Sequence, residues 1–323
     1  MSANPSESSG VFVILNRRAR HLREDASKMR AAILLAGARA HVVETRSLEE
    51  LSEAARTIAS ASSSGVVVLA GGDGSHMAGV SELSRAFQQV GRELPVVALA
   101  PGGTVCTVAR NWGLRASPAY AASVVRAAIH GAASVVPRST LRVRDDQSGD
   151  RVGFIFGAGL VASFFDVYYA SEDQGYGAAA RIVARIFAGS FTGGALARRV
   201  LDPVACTLEV DGAARPPVAW SLIVASVVRD LGLSMRVTYR AAEESERFHA
   251  VASALPARML GPQMPRVLTG RALRGAGHVD ALAKTLRVTF AGTRGAYVLD
   301  GEVLRAKSVS VEGGPSLRVL SLR

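Results

Sequence analysis

Twice in its N-terminal part the chain passes from a short apolar run, through a glycine-rich turn, into a stretch with helical spacing. The first passage is Gly65–Ala70, then Gly71-Gly72-Asp73-Gly74-Ser75, then His76–Val90. The second is Leu94–Ala100, then Pro101-Gly102-Gly103-Thr104, then Val105–Trp112. Wholly apolar strands alternating with helices predict a parallel sheet covered on both faces, because parallel neighbours need a crossover and the crossover helices pack on the sheet. The alternation extends outward. Strands are expected at Val11–Leu15 and Ala40–Val43. Helices are expected at Asp25–Ala36, Leu48–Ser60 and Pro118–His130, with Ser47 and Glu50 as a capping box and Gly113 and Gly131 as stops.

The pattern breaks near Pro137. Strand-like runs with polar turns follow at Thr140–Arg144, Val152–Phe156, Ala205–Val210, Ala219–Val227, Met235–Tyr239, Thr285–Phe290, Tyr297–Leu299, Ser308–Val311 and Leu317–Leu322. Helical inserts are expected at about 175–200 and 243–255. The fold class is therefore α/β plus β. A doubly wound parallel-sheet domain spans 1–138, and an antiparallel β-sandwich-like domain spans 139–314. The last strand, about 315–323, is a candidate to return to the first domain. A chain of 323 residues has the length of two domains, and 49% apolar content excludes wholesale disorder.

The glycine turns carry the chemistry. Free amides at a helix start attract anions, and glycine lets the backbone approach a phosphate closely. Asp73 in such a turn would repel phosphate unless a divalent cation lies between them or the carboxylate orients a reacting hydroxyl. The plain alternative is a tight strand-to-helix turn in which Asp73 only caps. In a parallel sheet, consecutive strand-to-helix loops share the carboxyl edge, so the second turn, with the Thr104 hydroxyl, would face the same ligand. Together the two turns read as a nucleotide site. Asp300-Gly301-Glu302, after the strand Tyr297–Leu299, is by itself a hairpin turn.

These motifs together resemble the diacylglycerol kinase catalytic-domain superfamily, which includes bacterial diacylglycerol-type lipid kinases, sphingosine kinases and ceramide kinases. The family pattern is a first strand ending in Asn, a Gly-Gly-Asp-Gly-Thr/Ser turn, a Pro-x-Gly-Thr/Ser turn and a late Asp-Gly-Glu. These stand here at Asn16, Gly71–Ser75, Pro101–Thr104 and Asp300–Glu302. The resemblance is clear over Val11–Leu114, thin over about 140–290, and returns at Tyr297–Val303. It implies a nucleotide cleft between the two domains and transfer of the ATP γ-phosphate to a lipid alcohol with Mg²⁺. It also implies nucleotide contacts from Asn16, Thr45, Gly71, Gly72, Asp73, Gly74, Ser75, His76, Met77, Gly103 and Thr104. Asp73 would serve the catalytic and metal network, and Glu302 would be the general base. Asp166 is matched to the region where sphingosine kinases hold the lipid head.

Departures from the pattern narrow it. Val105-Cys106-Thr107 stands where many members have Gly-Asn-Asp, a difference shared with ceramide kinases that leans the substrate toward a sphingolipid. Arg17 replaces the usual Pro. The acidic metal turn of bacterial members has no residue-by-residue match among Asp230, Glu243 and Glu244, so metal ligands beyond Asp73 stay open.

Charge and hydropathy bear on partners. The net charge is +11, and among the 38 basic residues only Lys28, Lys284 and Lys307 are not arginine. That excess has two readings: the codon bias of a GC-rich coding sequence alone, or an anionic partner such as a nucleotide, lipid headgroups or nucleic acid. Arg17, Arg18 and Arg20 could reach phosphate. Ile182, Val183, Ile186 and Phe187 form a helical stripe beside Arg181 and Arg185, with Arg198 and Arg199 beyond, a pattern that suits either an anionic bilayer surface or a core-facing helix. No basic-aromatic interleaving supports nucleic acid as a partner. The two cysteines, Cys106 and Cys206, make neither a disulfide framework nor a zinc site. Residues 1–10 lack an apolar signal core, and stretches such as Leu222–Val228 are too short to span a bilayer. The expectation is a cytoplasmic enzyme that docks on the inner face of the membrane. The alternatives are a non-catalytic nucleotide- or lipid-binding homologue, or another Gly-Gly-Asp-Gly phosphotransferase such as an NAD kinase. Oligomeric state is not readable.

Overall fold

The computed structural model describes residues 10–16, 40–62, 64–102, 106–114, 117–131, 133–147, 149–173, 175–292 and 294–322. The helix expected at Asp25–Ala36, the arginines at 17, 18 and 20, and Gly103, Thr104 and Val105 lie outside the described residues. The chain divides into two compact units, Met1–Arg138 with Ser316–Arg323, and Ser139–Pro315.

The first unit contains strands β1 (Gly10–Asn16), β2 (Ala40–Thr45), β3 (Ser64–Gly71), β4 (Val96–Pro101) and β5 (Ser134–Arg138). Its helices are α1 (Leu48–Ser60), α2 (Asp73–Gln89), α3 (Thr107–Asn111) and α4 (Pro118–His130). The C-terminal strand Leu317–Ser321 completes a sheet of order β2-β1-β3-β4-C-terminal-β5, parallel except for β5. Side chains alternate across it. Val11, Val13, Leu15, Val68, Ala70, Ala98 and Ala100 form one core with Ala121, Val124 and Val125 of α4. Ile14, Val67, Leu69, Val97 and Leu99, on the other face, are equally buried. There α2 lies close on β3, and a Cβ at Gly79 would come within 2.9 Å of the Leu69 side chain. Pro137 sits in β5 because that strand is the sheet edge, where a missing amide is tolerated.

Helix ends follow local chemistry. Ser47 Oγ accepts the Glu50 amide at 3.2 Å, but the Glu50 carboxylate accepts from the Arg46 amide (2.6 Å), one residue upstream of the usual capping-box partner. Ser117 caps α4 through the Tyr120 amide, and Gly131 ends that helix at φ 64.

The second unit holds β6 (Leu141–Asp145), β7 (Gly149–Gly153), β8 (Ile155–Gly159), α5 (Leu160–Tyr169), α6 (Tyr176–Thr192), α7 (Ala195–Leu201), β9 (Val204–Val210), β10 (Ala213–Arg215), β11 (Ala219–Trp220) and β12 (Leu222–Ser226). It continues with β13 (Phe248–Ser253), α8 (Ala257–Leu260), α9 (Met264–Leu268), β14 (His278–Ala283), β15 (Thr285–Phe290), β16 (Gly295–Leu299), β17 (Glu302–Ala306) and β18 (Ser308–Gly313). Two antiparallel sheets result, β10-β9-β15-β18-β6-β7 with β11 beside β9, and β14-β13-β12-β8-β16-β17. The chain passes between them at single residues, Phe154, Ser221, Lys284 and Lys307. Tyr297, fully buried in the second sheet, donates its hydroxyl to Asp145 of the first, and burial followed by that bond pushes its phenol pKa up.

Several expectations fail in this unit. Met235–Tyr239 forms turns rather than a strand, with Thr238 Oγ1 donating to the Val228 carbonyl at 2.9 Å. The helix expected at 243–255 is replaced by β13, all six residues of which are buried between β12 and β14. A short apolar run bounded by polar residues has no period that separates buried strand from buried helix. Val152–Phe156 breaks at Phe154, and the following apolar segment is helix α5, with Leu160, Phe164, Val167 and Tyr168 packed on a buried helical core. The stripe on α6 is core-facing at Ile182 and Ile186, which join Val200, Leu201, Leu255 and Leu260. Arg181, Arg185, Arg198 and Arg199 remain exposed.

Candidate functional site

In the first unit the glycine turn is shorter than its sequence suggests. Only Gly71 and Gly72 precede the helix, and Asp73 is already the first residue of α2. The turn is crowded, since a Cβ at Gly71 would lie 2.4 Å from Ser75 Cβ, which restricts the position to glycine. The Gly71 carbonyl accepts the Gly102 amide at 2.7 Å, tying the first glycine turn to the start of the second. At the adjoining strand end, Asn16 Nδ2 donates to Ser75 Oγ at 2.7 Å, and buried Thr45 lies opposite Asn16 in the β1–β2 register.

Asp73 accounts for the local geometry. Its Oδ2 accepts the Thr107 amide at 2.7 Å and its Oδ1 accepts the Val108 amide at 3.1 Å. These are the first amides of α3, whose own cap residue, Cys106, has φ 49 and offers no side-chain cap bond. Asp73 is therefore a cap, but for α3 rather than for α2. Its charge sits at two helix starts at once, where backbone amides stabilise an anion. Each carboxylate oxygen accepts one amide here and keeps a second lone pair, so the donor set fits a further hydroxyl or a cation arriving on phosphates.

His76 and Met77 are buried, and their side chains face no solvent. Neither His76 ring nitrogen has a hydrogen-bond partner among the described residues. Burial holds the imidazole below the usual histidine range, against the opposing effects of the Asp73 charge and of the nearby Ala100 and Leu69 backbone, neither of which makes a hydrogen bond of good geometry with it. The ring is a neutral core group.

In the second unit Asp300 and Gly301 have φ 47 and φ 91, the signature of a two-residue type I′ hairpin joining β16 to β17. The Asp300 carboxylate is buried and accepts the amides of Phe154 (3.0 Å) and Ile155 (2.9 Å), while its own amide donates to the Ile155 carbonyl. Glu302, the first residue of β17, is exposed, and its carboxylate accepts no hydrogen bond from the described residues. Asp166 lies on α5, partly exposed. Of the acids near the sought metal turn, Asp230 accepts the Gly232 amide, Glu243 pairs with Arg240 and Glu244 with Arg247. Among the described residues no group of three or more His, Cys, Asp or Glu side chains is placed to hold a metal ion.

Three partners escaped sequence reading. Thr107 and Val108 act through their backbone, which no side-chain motif announces. Tyr169, whose hydroxyl donates to the Gly301 carbonyl at 2.6 Å, lies far from the turn in sequence.

Residues 10–137 match the diacylglycerol kinase catalytic domain. A crystal structure of a diacylglycerol kinase from Bacillus anthracis str. Sterne is similar at 14% identity and a TM-score of 0.65, covering 97% of each chain. Another Bacillus anthracis str. Sterne structure, described as diacylglycerol kinase-like, is similar at 15% identity and a TM-score of 0.67, covering 96% of this chain and 97% of that one. At these identities the likeness is one of fold. No curated protein matches the chain.

Two predictions follow from the first unit. Asp73→Ala leaves the Thr107 and Val108 amides without their acceptor and should lower unfolding free energy by about 2 kcal/mol in urea titration. His76 has a folded-state pKa below its unfolded value, so acid drives protons onto the unfolded chain. Stability should fall as pH drops through about 6.5, and His76→Leu should flatten that dependence in thermal melts between about pH 7 and 5.

Proposed function

We propose that this chain, whose resemblance to the diacylglycerol kinase catalytic-domain superfamily is shown over residues 10–137, is an ATP-dependent lipid kinase that phosphorylates the hydroxyl of a membrane lipid. The observation that carries the reading is the pair of strand-end glycine turns held together by the Asp73 carboxylate and the Gly71–Gly102 bond. Phosphoryl transfer asks for positioning and charge neutralisation more than for covalent chemistry. The α2 start, with Gly72, Gly74 and Ser75, is suited to cradle phosphates. Asn16 and Thr45 flank it, Gly103 and Thr104 are assigned to the nucleotide from the motif alone, and Asp73 would be the carboxylate to serve a Mg²⁺ carried in with ATP. Glu302 takes the proton of the lipid hydroxyl, whose oxygen bonds to the γ-phosphorus as the bond to ADP breaks. Asp166 is assigned to the lipid head.

The acceptor is a diacylglycerol, ceramide or sphingoid base. The lean toward ceramide rests on Val105-Cys106-Thr107 in place of Gly-Asn-Asp. Such a substrate requires a visit to a bilayer. No helix among the described residues is long and apolar enough to cross a membrane. No acid occurs between Gly175 and Leu201, while Arg181, Arg185, Arg198 and Arg199 are exposed there beside exposed Tyr176 and Phe191. That surface suits transient docking on anionic lipid at the cytoplasmic face.

The test is transfer from labelled ATP with Mg²⁺ to micelles of diacylglycerol, ceramide, sphingosine or monoacylglycerol. A labelled lipid is expected. ATP binding without transfer to any of them would favour a non-catalytic nucleotide-binding protein. Glu302→Gln should lower kcat by roughly 10²-fold or more with ATP binding intact. Reversing Arg185, Arg198 and Arg199 to Glu should weaken sedimentation with anionic vesicles by at least about tenfold, with little effect on neutral ones.

A further inference from the structure

The Asp-Gly turn that precedes Glu302 is held on two sides by different means. On the Asp300 side the buried carboxylate grips the Phe154 and Ile155 amides. On the Gly301 side the carbonyl, which belongs to the peptide leading into Glu302, receives the Tyr169 hydroxyl at 2.6 Å. A Cβ at Gly301 would lie 3.7 Å from both Phe165 Cε1 and Tyr169 Oη, so the two rings floor the turn. Those rings also meet each other, with centroids 5.7 Å apart. They continue into Phe164 and Tyr168, whose partly buried side chains pack on the helical core of this unit. Tyr168 in turn accepts the Gly175 amide at 2.8 Å. The aromatic face of α5 is thus anchored at one end in the core and at the other on the peptide of Glu302.

We propose that Tyr169 is a positioning residue for Glu302, its hydroxyl fixing the Gly301–Glu302 peptide and with it the carboxylate that meets the lipid hydroxyl. This rests on the reading of Glu302 as the base. Burial keeps the phenol above its ordinary pKa, and the neighbouring Tyr168 and Glu302 act in the same sense, so the hydroxyl remains a donor at neutral pH. Small displacements of a reacting group cost disproportionately in rate, which gives a single hydrogen bond outside the reaction a kinetic consequence.

Tyr169→Phe removes the donor and keeps the ring. Its kcat should fall about tenfold with KM for ATP unchanged, and in a Glu302→Gln background the same change should cost nothing further. Amide hydrogen exchange at Gly301 and Glu302 should quicken in Tyr169→Phe while β16 and the rest of β17, Val303–Ala306, keep their protection. That readout stands whether or not an acceptor lipid has been found. Unaltered exchange at the turn, or a kcat within twofold of wild type while Glu302→Gln is inactive, would overturn the positioning role alone. Full activity of Glu302→Gln would instead remove the base assignment.

Discussion

The bond between the Asp73 carboxylate and the first two amides of α3 is the interaction on which the first unit's site depends. A helix of five residues has no stability of its own, and its preceding residue, Cys106, stands in a left-handed conformation that costs free energy outside glycine. Charge-assisted bonds from a neighbouring helix supply what α3 lacks. They also hold the start of α2 against the start of α3. The Gly71–Gly102 bond joins the same two turns, while the crowding at Gly71 comes from Ser75, in the first turn of α2 itself.

The second unit repeats the device. Asp300, like Asp73, uses its charge on two consecutive backbone amides, here those of Phe154 and Ile155, and so pins the β16–β17 hairpin turn to the start of β8. The buried aspartate is structural, and the exposed glutamate two residues on is left available for chemistry. In both motifs an aspartate holds the backbone, which makes the loss of either one a loss of geometry as well as of charge.

The first unit was legible because its strands are unbroken apolar runs and its helices carry ordinary caps: Ser47 before α1, Ser117 before α4, Gly131 after it. The second was less so. β13 and α5 are apolar over lengths where strand and helix share a pattern, and the chain switches sheets at single residues that leave no turn signal. Within the site, the motif residues Asn16, Ser75 and Asp73 were readable as a group, but the partners of Asp73 lie on the next helix and are backbone. His76 reads as a ligand by its place beside the turn, yet it fills a core position of α2.

Because the central claim is that the two glycine turns, clamped by Asp73, form a phosphate-binding edge, the direct measurement is amide hydrogen exchange of the intact protein with and without ATP and Mg²⁺. The nucleotide should slow exchange at Gly72, Gly74 and Ser75, and leave the strands of the second unit, such as β9 and β15, unchanged. Unaltered exchange across the α2 start under saturating nucleotide would contradict the account.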